Sequence, residues 1–107
     1  MEKQRRKPVI MPKTERILKT MGSQIRLARL RRDIPVELVA ERAGVSRASV
    51  WSVEKGSPSV SMGIYAKVLA AIGMQEELLQ ICGDDRLGRE LQDQKLEIRH
   101  RASRRKV

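Results

Sequence analysis

Aromatic residues and cysteine are both scarce in this 107-residue chain. It contains no Phe, and Trp51 and Tyr65 are its only aromatic residues, so the hydrophobic core is expected to be aliphatic. The single cysteine, Cys82, excludes a disulfide within one chain and is typical of the reducing cytosol.

Patterns that identify several other classes of protein are also missing. No stretch approaches the roughly 18 consecutive apolar residues of a membrane span. The basic N-terminus lacks the apolar segment and cleavage site of a signal peptide, so we expect none. There is no Gly-rich phosphate loop, no metal-ligand spacing and no plausible catalytic pair, and the only histidine is His100. The sequence therefore predicts a cytoplasmic protein that is not an enzyme and uses no metal or cofactor.

Positive charge is in excess, with a formal net charge of +10 at pH 7. Residues 1–56 contain 14 basic and six acidic residues, residues 57–98 contain four and seven, and residues 99–107 contain five and none. A basic front half with basic ends is typical of a protein that binds a polyphosphate. The acidic part between them indicates a different partner or a dimer surface, although charge is also common on an ordinary solvated face.

Residues 35–56 have the spacing of two short helices joined by a tight turn. The first, residues 36–43, has apolar residues at positions i, i+3, i+4 and i+7. Gly44 suits the left-handed conformation that ends a helix. Ser46 is a good N-cap for a second helix that runs to Lys55. Helix, Gly-containing turn and capped helix together predict a helix-turn-helix.

The second of these helices has a buried face and an exposed face. Val50 and Val53 lie together and are expected to face the first helix. In a DNA-reading unit, the N-terminal part of the second helix meets base edges in the major groove. An Arg there can bind guanine through two hydrogen bonds, and an Ala can contact a thymine methyl group. We therefore predict as base-reading residues Arg47, Ala48, Ser49 and Ser52. The alternative is an ordinary helical hairpin with a polar outer face.

Residues around this helix are candidates for contacts to the DNA backbone, which fix the register but carry no sequence information. They are Ser46, Trp51, Lys55, Ser57 and Ser59. The alternative for the two serines after the helix is a plain linker. Trp51 packs either against sugar and phosphate or against the loop at Pro58, because indole prefers partly apolar surroundings.

The flanking segments are also read as helices. A first helix, capped by Thr14, has a predicted buried stripe of Ile17, Leu18, Met21, Ile25 and Ala28. Gly22 lies inside this helix and is a candidate for a break. A fourth helix over residues 61–72 is expected to bury Ile64, Val68, Leu69 and Ile72, with Tyr65 on its flank. A short fifth helix follows over residues 74–81.

Both ends of the chain are predicted to lie outside the helix-turn-helix domain, which we place at residues 14–82. Residues 1–13 form a basic flexible arm that either lies along the DNA or is a disordered tail. Residues 83–107 form an extension with a short amphipathic helix, 84–95, followed by a disordered basic tail. Apolar residues predicted to contact a partner or a second copy are Leu78, Leu79, Leu87 and Leu91. Packing of the extension back onto its own domain is the alternative.

The segment LARLRRDIPVELVAERAGVSRASVWSVEKGSPSVSMGIYAKVLAAIG resembles the five-helix DNA-binding domain of the Xre/phage-repressor (lambda-like) family. The resemblance implies an all-α fold. It also implies a structural ion pair between Arg29 in the first helix and Glu54 late in the recognition helix. This chain departs from the family at Pro35 and Val36, where Thr and Gln are usual, so Val36 lacks the amide that contacts DNA.

The downstream segment GDDRLGRELQDQKL is similar to the C-terminal extension of HipB-like antitoxins. That resemblance implies a homodimer that binds an inverted-repeat operator in its own promoter. It further implies a repressed complex with a HipA-type serine/threonine kinase toxin, to which some modules add a third small protein. The chain is then expected at the nucleoid of the bacterial cytoplasm. The alternative is a stand-alone Xre-family repressor without a kinase partner.

Overall fold

The computed structural model describes residues 8–105, with side chains through residue 99. This part of the chain contains five α-helices and one 3-10 helix, and no β-strand. The α-helices are α1 (Pro12–Arg31), α2 (Val36–Ala43), α3 (Arg47–Glu54), α4 (Met62–Ala71) and α5 (Arg86–Arg105). The 3-10 helix, Gln75–Gln80, lies between α4 and α5. The prediction of an all-α, repressor-like fold is confirmed.

The chain divides into two compact units between Gln75 and Glu76. The first contains α1 to α4, and the second contains most of the 3-10 helix and all of α5. Within residues 8–105, no helix is both long enough and apolar enough to cross a membrane.

The core of the first unit is made of small aliphatic side chains. Val39, Val50, Val53 and Val68 are fully buried and come from α2, α3 and α4. Ile25 and Ala28 close this core from α1. One aromatic side chain also belongs to it, because Tyr65 is buried rather than on the flank of α4 as predicted. Ile64, expected in the core, is only half-buried.

The two predicted caps, Gly44 and Ser46, are confirmed, and Ser61 adds a third. Gly44 ends α2 with a left-handed φ of 66°. Ser46 caps α3, and its side chain accepts a hydrogen bond from the Ser49 backbone N–H at 3.1 Å. Ser61 caps α4 in the same way, accepting from the Ile64 N–H at 3.2 Å. Each cap satisfies one of the backbone donors that a helix start leaves without an intrahelical acceptor.

Helix α1 differs from its prediction in three respects. It begins at Pro12 and not after Thr14, since proline already has the φ of a first helical position. The buried stripe is narrower than expected, because Ile17 is 58% exposed and Leu18 and Met21 are half-buried. The helix is also continuous through Gly22, which is buried.

The C-terminal part also differs. The predicted fifth helix is a 3-10 helix of six residues. Helix α5 starts at Arg86 and continues to Arg105, so residues 97–105, predicted to be a disordered tail, are helical. Leu, Glu, Gln, Lys and Arg favour helix, and neither Gly nor Pro occurs after Gly88. The predictions for residues 1–7 and 106–107 lie outside the described residues, and Pro12 and Lys13 of the predicted arm belong to α1.

Candidate nucleic-acid interface

One face of α3 is buried and the other is open. Val50 and Val53 hold the buried face against the core, and both have no exposed surface. On the opposite face, Arg47, Ala48 and Trp51 are exposed, and the half-buried Ser52 lies beside them. The structure thus brings together three of the four predicted base-reading residues and Trp51, on two turns of helix.

Ser49, the fourth predicted base reader, uses both its backbone N–H and its hydroxyl in contacts within the first turn of α3. Its backbone N–H donates to the Ser46 side chain, and its own Oγ lies 3.1 Å from the Ser46 Oγ. Ser46 and Ser49 therefore fix the first turn of α3. Other N–H groups of that turn still point out of the helix end, where an anion such as a phosphate is favourable.

A buried ion pair joins α1 to the end of α3, as the family resemblance implied. Arg29 Nε donates to Glu54 Oε2 at 2.5 Å, and Arg29 Nη2 donates to Glu54 Oε1 at 3.0 Å. The third nitrogen of the guanidinium, Nη1, donates to the carbonyl of Ile34 at 3.0 Å. Both charged residues are 8% exposed. Hydrogen bonding to Glu54 raises the pKa of Arg29 despite the opposing effect of burial. This pair fixes α3 at its C-terminal end.

Two glycines allow α1 and α3 to touch through their backbones. A Cβ on Gly22 would lie 2.7 Å from the carbonyl oxygen of Val53 and 2.8 Å from that of Glu54. Gly56, directly after α3, has a φ of 70°, and a Cβ there would lie 2.7 Å from the Cα of Lys19. Gly22 is therefore a point of close approach and does not break α1.

The loop after α3 is held by Tyr65. Its hydroxyl donates to the carbonyl of Ser57 at 2.8 Å, and burial raises the pKa of this phenol. The Ser57 side chain accepts from the Ser59 N–H at 3.2 Å, so it is engaged within the loop. Lys55 and Ser59 are exposed beside it. The sequence analysis placed Tyr65 on the flank of α4. Tyr65 stands three and four residues before Val68 and Leu69, and this helical spacing was the available signal that it shares their buried face.

Sequence reasoning also missed a residue on α2. Glu37 Oε1 lies 3.7 Å from Arg47 Nη1, with both side chains more than half exposed. The predicted guanine reader therefore has a carboxylate beside it. Residue 37 follows the Pro35–Val36 departure from the family pattern. In a helix-turn-helix the first helix crosses the DNA backbone beside the second, and that was the signal available in the sequence.

Trp51 is unusual at the centre of such a face, because half of its surface is exposed. Among residues 8–99, no group of three or more His, Cys, Asp or Glu side chains is placed to hold a metal ion. The exposed groups around α3 are mainly cations, hydroxyls and one aromatic ring, with the Glu37 carboxylate beside Arg47. These groups suit a nucleic-acid backbone and base edges.

The four leucines predicted to contact a partner all lie in the second unit. Leu79, Leu87 and Leu91 are 75%, 69% and 54% exposed, and Leu78 is half-buried.

The fold and this exposed, capped second helix define a helix-turn-helix DNA-binding protein. The family model described as "Helix-turn-helix domain" matches residues 20–80, more than half of the chain. The chain belongs to this helix-turn-helix family. No curated protein matches it significantly.

Proposed function

We propose that this protein is a transcriptional repressor that binds, as a homodimer, an inverted repeat in the promoter of its own operon. The observation that carries the proposal is the open face of α3, where Arg47, Ala48, Trp51 and Ser52 lie together on a helix fixed at both ends. A fixed reading helix suits sequence-specific binding, because its side chains meet the base edges in one orientation.

The residues divide into two roles in this proposal. Arg47 reads guanine, Ala48 contacts a thymine methyl group and Ser52 contacts a neighbouring base edge. Ser49 supports them by holding the first turn of α3 against Ser46. The residues placed at the DNA backbone are Ser46, Trp51, Lys55, Ser57 and Ser59. The excess of positive charge attracts DNA of any sequence, and this contribution weakens as salt rises.

We further propose that the protein is a HipB-like antitoxin whose partner is a HipA-type kinase, with or without a third small protein. The similarity of residues 83–96 to the extension of such antitoxins supports this proposal. A repressor without a kinase partner is the second candidate, favoured by the fact that the first unit alone contains the whole predicted DNA-binding surface. A helix-turn-helix domain is typical of a regulator in either setting.

The test of DNA binding is a fluorescence-anisotropy titration of the full chain with the duplex from directly upstream of its gene. A scrambled duplex is the comparison, and both are titrated at several salt concentrations. We expect two protomers per inverted repeat and a preference of about 10³ over scrambled DNA. Equal, steeply salt-dependent binding to both duplexes would contradict the proposal.

The role of Arg47 is tested in the same assay. Arg47→Ala is expected to cost about 1–3 kcal/mol on the upstream duplex and to relax the preference at one base position. Lys67→Ala, which removes the same charge from an exposed position on α4, is the matched control. Equal losses for both variants, or an equal loss on scrambled DNA, would show that Arg47 contributes charge and no base reading.

The kinase partnership is tested separately. The full chain is mixed with the serine/threonine kinase encoded beside its gene and run on size exclusion, with and without the upstream duplex. Co-elution with loss of kinase activity supports the antitoxin role. Independent elution at micromolar concentrations, with DNA binding intact, supports the stand-alone repressor.

A further inference from the structure

Helix α5 has almost no buried surface in the described structure. Of residues 86–99, only Gly88 is half-buried and all the others are exposed. Most helices in proteins owe their stability to packing of an apolar face rather than to helix propensity alone. A helix of this length with exposed leucines therefore has packing surface available for a partner.

The apolar side chains of α5 are arranged at coiled-coil spacing. Leu87, Leu91 and Ile98 follow one another at intervals of four and seven residues, and Gln94 occupies the position between the last two. At about 100° per residue, these four positions lie within about 60° of one another. Alternating intervals of four and three residues define the a and d positions of a heptad. We call these four residues the α5 stripe. Its three apolar members are 54–69% exposed.

The two edges of the α5 stripe carry opposite charge. Beside it on one edge lie Glu90 and Glu97, and on the other edge lies Lys95. In heptad terms, Glu90 holds a g position and Lys95 holds the e position of the following heptad. This asymmetry distinguishes between the possible ways of pairing two helices. In a parallel pair, the g edge of each helix faces the e edge of the other. In an antiparallel pair, like edges face each other.

We infer that the α5 stripe is covered by α5 of a second copy of this chain, in a parallel, in-register two-helix coiled coil. Two symmetry-related contacts between Glu90 and the partner's Lys95 would then flank Leu91. An antiparallel pair would instead bring the acidic edges together and the basic edges together. Ile98 at an a position also favours a two-stranded coiled coil, and the polar Gln94 at a d position lowers its stability.

This coiled coil would be an interface of the homodimer proposed above, and it rests on that proposal only for its biological role. A parallel pair has two-fold symmetry, so both chains enter it from the same end. An inverted repeat has the same symmetry. Because the stripe spans fewer than two full heptads, it is expected to give a weak dimer. Binding of two first units to adjacent half-sites would strengthen that dimer.

The first experiment measures the dimer dissociation constant of the full chain by sedimentation equilibrium at several salt concentrations. Glu90→Lys and Lys95→Glu each place like charges opposite one another twice in a parallel pair. Each is expected to raise the dissociation constant by about 5- to 30-fold. The double variant restores both attractions and is expected to return within about threefold of wild type. Circular dichroism of each variant shows that the first unit remains folded.

The second experiment measures orientation and uses the only cysteine. A nitroxide on Cys82 reports the distance between two copies by pulsed electron resonance without any substitution. In a parallel pair both labels lie at the same end, at about 15–25 Å, given interaxial distances of 8–10 Å. In an antiparallel pair centred on the stripe, about 21 residues of helical rise would separate them by about 30 Å or more.

Three results would overturn the inference. They are a monomeric chain at 100 µM, charge variants that dimerise as wild type does, or a label separation above 30 Å. A monomer that binds the neighbouring kinase through Leu87 and Leu91 would assign the stripe to that partner. These outcomes are separable from failure of the proposed function. A chain that dimerises through α5 but shows no preference for its upstream duplex would disprove the repressor and keep the coiled coil.

Discussion

Replacing Arg29 by Met should strongly destabilise the first unit. The substitution removes both hydrogen bonds to Glu54 and leaves its carboxylate buried, at 8% exposure, with no cation beside it. Breaking a buried pair from one side costs about 3–5 kcal/mol. The carbonyl of Ile34 also loses its donor, which adds about 1 kcal/mol where water does not replace it.

The size of this effect is large for so small a domain. About 1 kcal/mol shifts the midpoint of thermal unfolding by roughly 4–8 °C at this size, so Arg29→Met is expected to lower it by at least about 12 °C. The measurement is urea unfolding followed by circular dichroism, supported by a thermal scan. The double variant Arg29→Met/Glu54→Met is the internal control, because it removes both charges and keeps most of the apolar volume.

The double-mutant cycle decides whether the reasoning holds. If the cost comes from an isolated buried charge, the double variant should recover at least about 2 kcal/mol relative to Arg29→Met. A residual loss of about 1 kcal/mol relative to wild type is expected from the Ile34 carbonyl. Additive losses, or a loss below 1 kcal/mol for Arg29→Met alone, would refute the argument that the pair fixes α3.

Three further perturbations test the turn after α3, the buried phenol and the carboxylate beside the reading face. Gly56→Ala should cost about 3 kcal/mol in urea unfolding. Gly44→Ala should cost only about 1 kcal/mol. Gly44 and Gly56 both have a positive φ, but only at Gly56 would an added Cβ meet neighbouring backbone atoms. Burial raises the pKa of Tyr65 above its ordinary value of 10.0, so stability should be constant below pH 10 and fall as pH rises through the folded-state pKa. The Tyr65→Phe variant should lack this fall, and absorbance at 295 nm follows the only tyrosine directly. Glu37→Gln should bind scrambled DNA about 2- to 5-fold more tightly, because it removes a negative charge beside Arg47.

Each of these has a result that contradicts it. Equal costs for the two glycine variants would mean that close approach at Gly56 is unimportant. A Tyr65 absorbance transition at or below pH 10 would remove the link between burial and stability. Unchanged binding of scrambled DNA by Glu37→Gln would exclude an influence of the Glu37 charge on DNA binding.

The local signals in the sequence predicted the helix-turn-helix well. The apolar spacing of residues 36–43, Gly44 and the Ser46 cap act over a few residues, and the structure has all three as expected. The Arg29–Glu54 pair spans 25 positions and was predicted only through the family resemblance. Nothing in the local pattern identifies a partner so far along the chain.

The misplaced features depend on contacts between distant segments. Gly22 resembles a helix breaker by propensity, but its missing side chain makes room for the backbone of Val53 and Glu54. Glu37 is an ordinary exposed acid until α2 and α3 bring it beside Arg47. The end of α5 was predicted too early because high charge was given more weight than helix propensity over residues 97–105.

The contact between Gly22 and Gly56 has a consequence for how this protein can change. Since α1 and α3 meet there through main-chain atoms, the angle of the reading helix is set without help from any side chain on its exposed face. Substitutions at positions 47, 48, 51 and 52 can therefore alter which bases are read while the docking geometry stays constant. Preference for a new operator can then evolve separately from the stability of the domain.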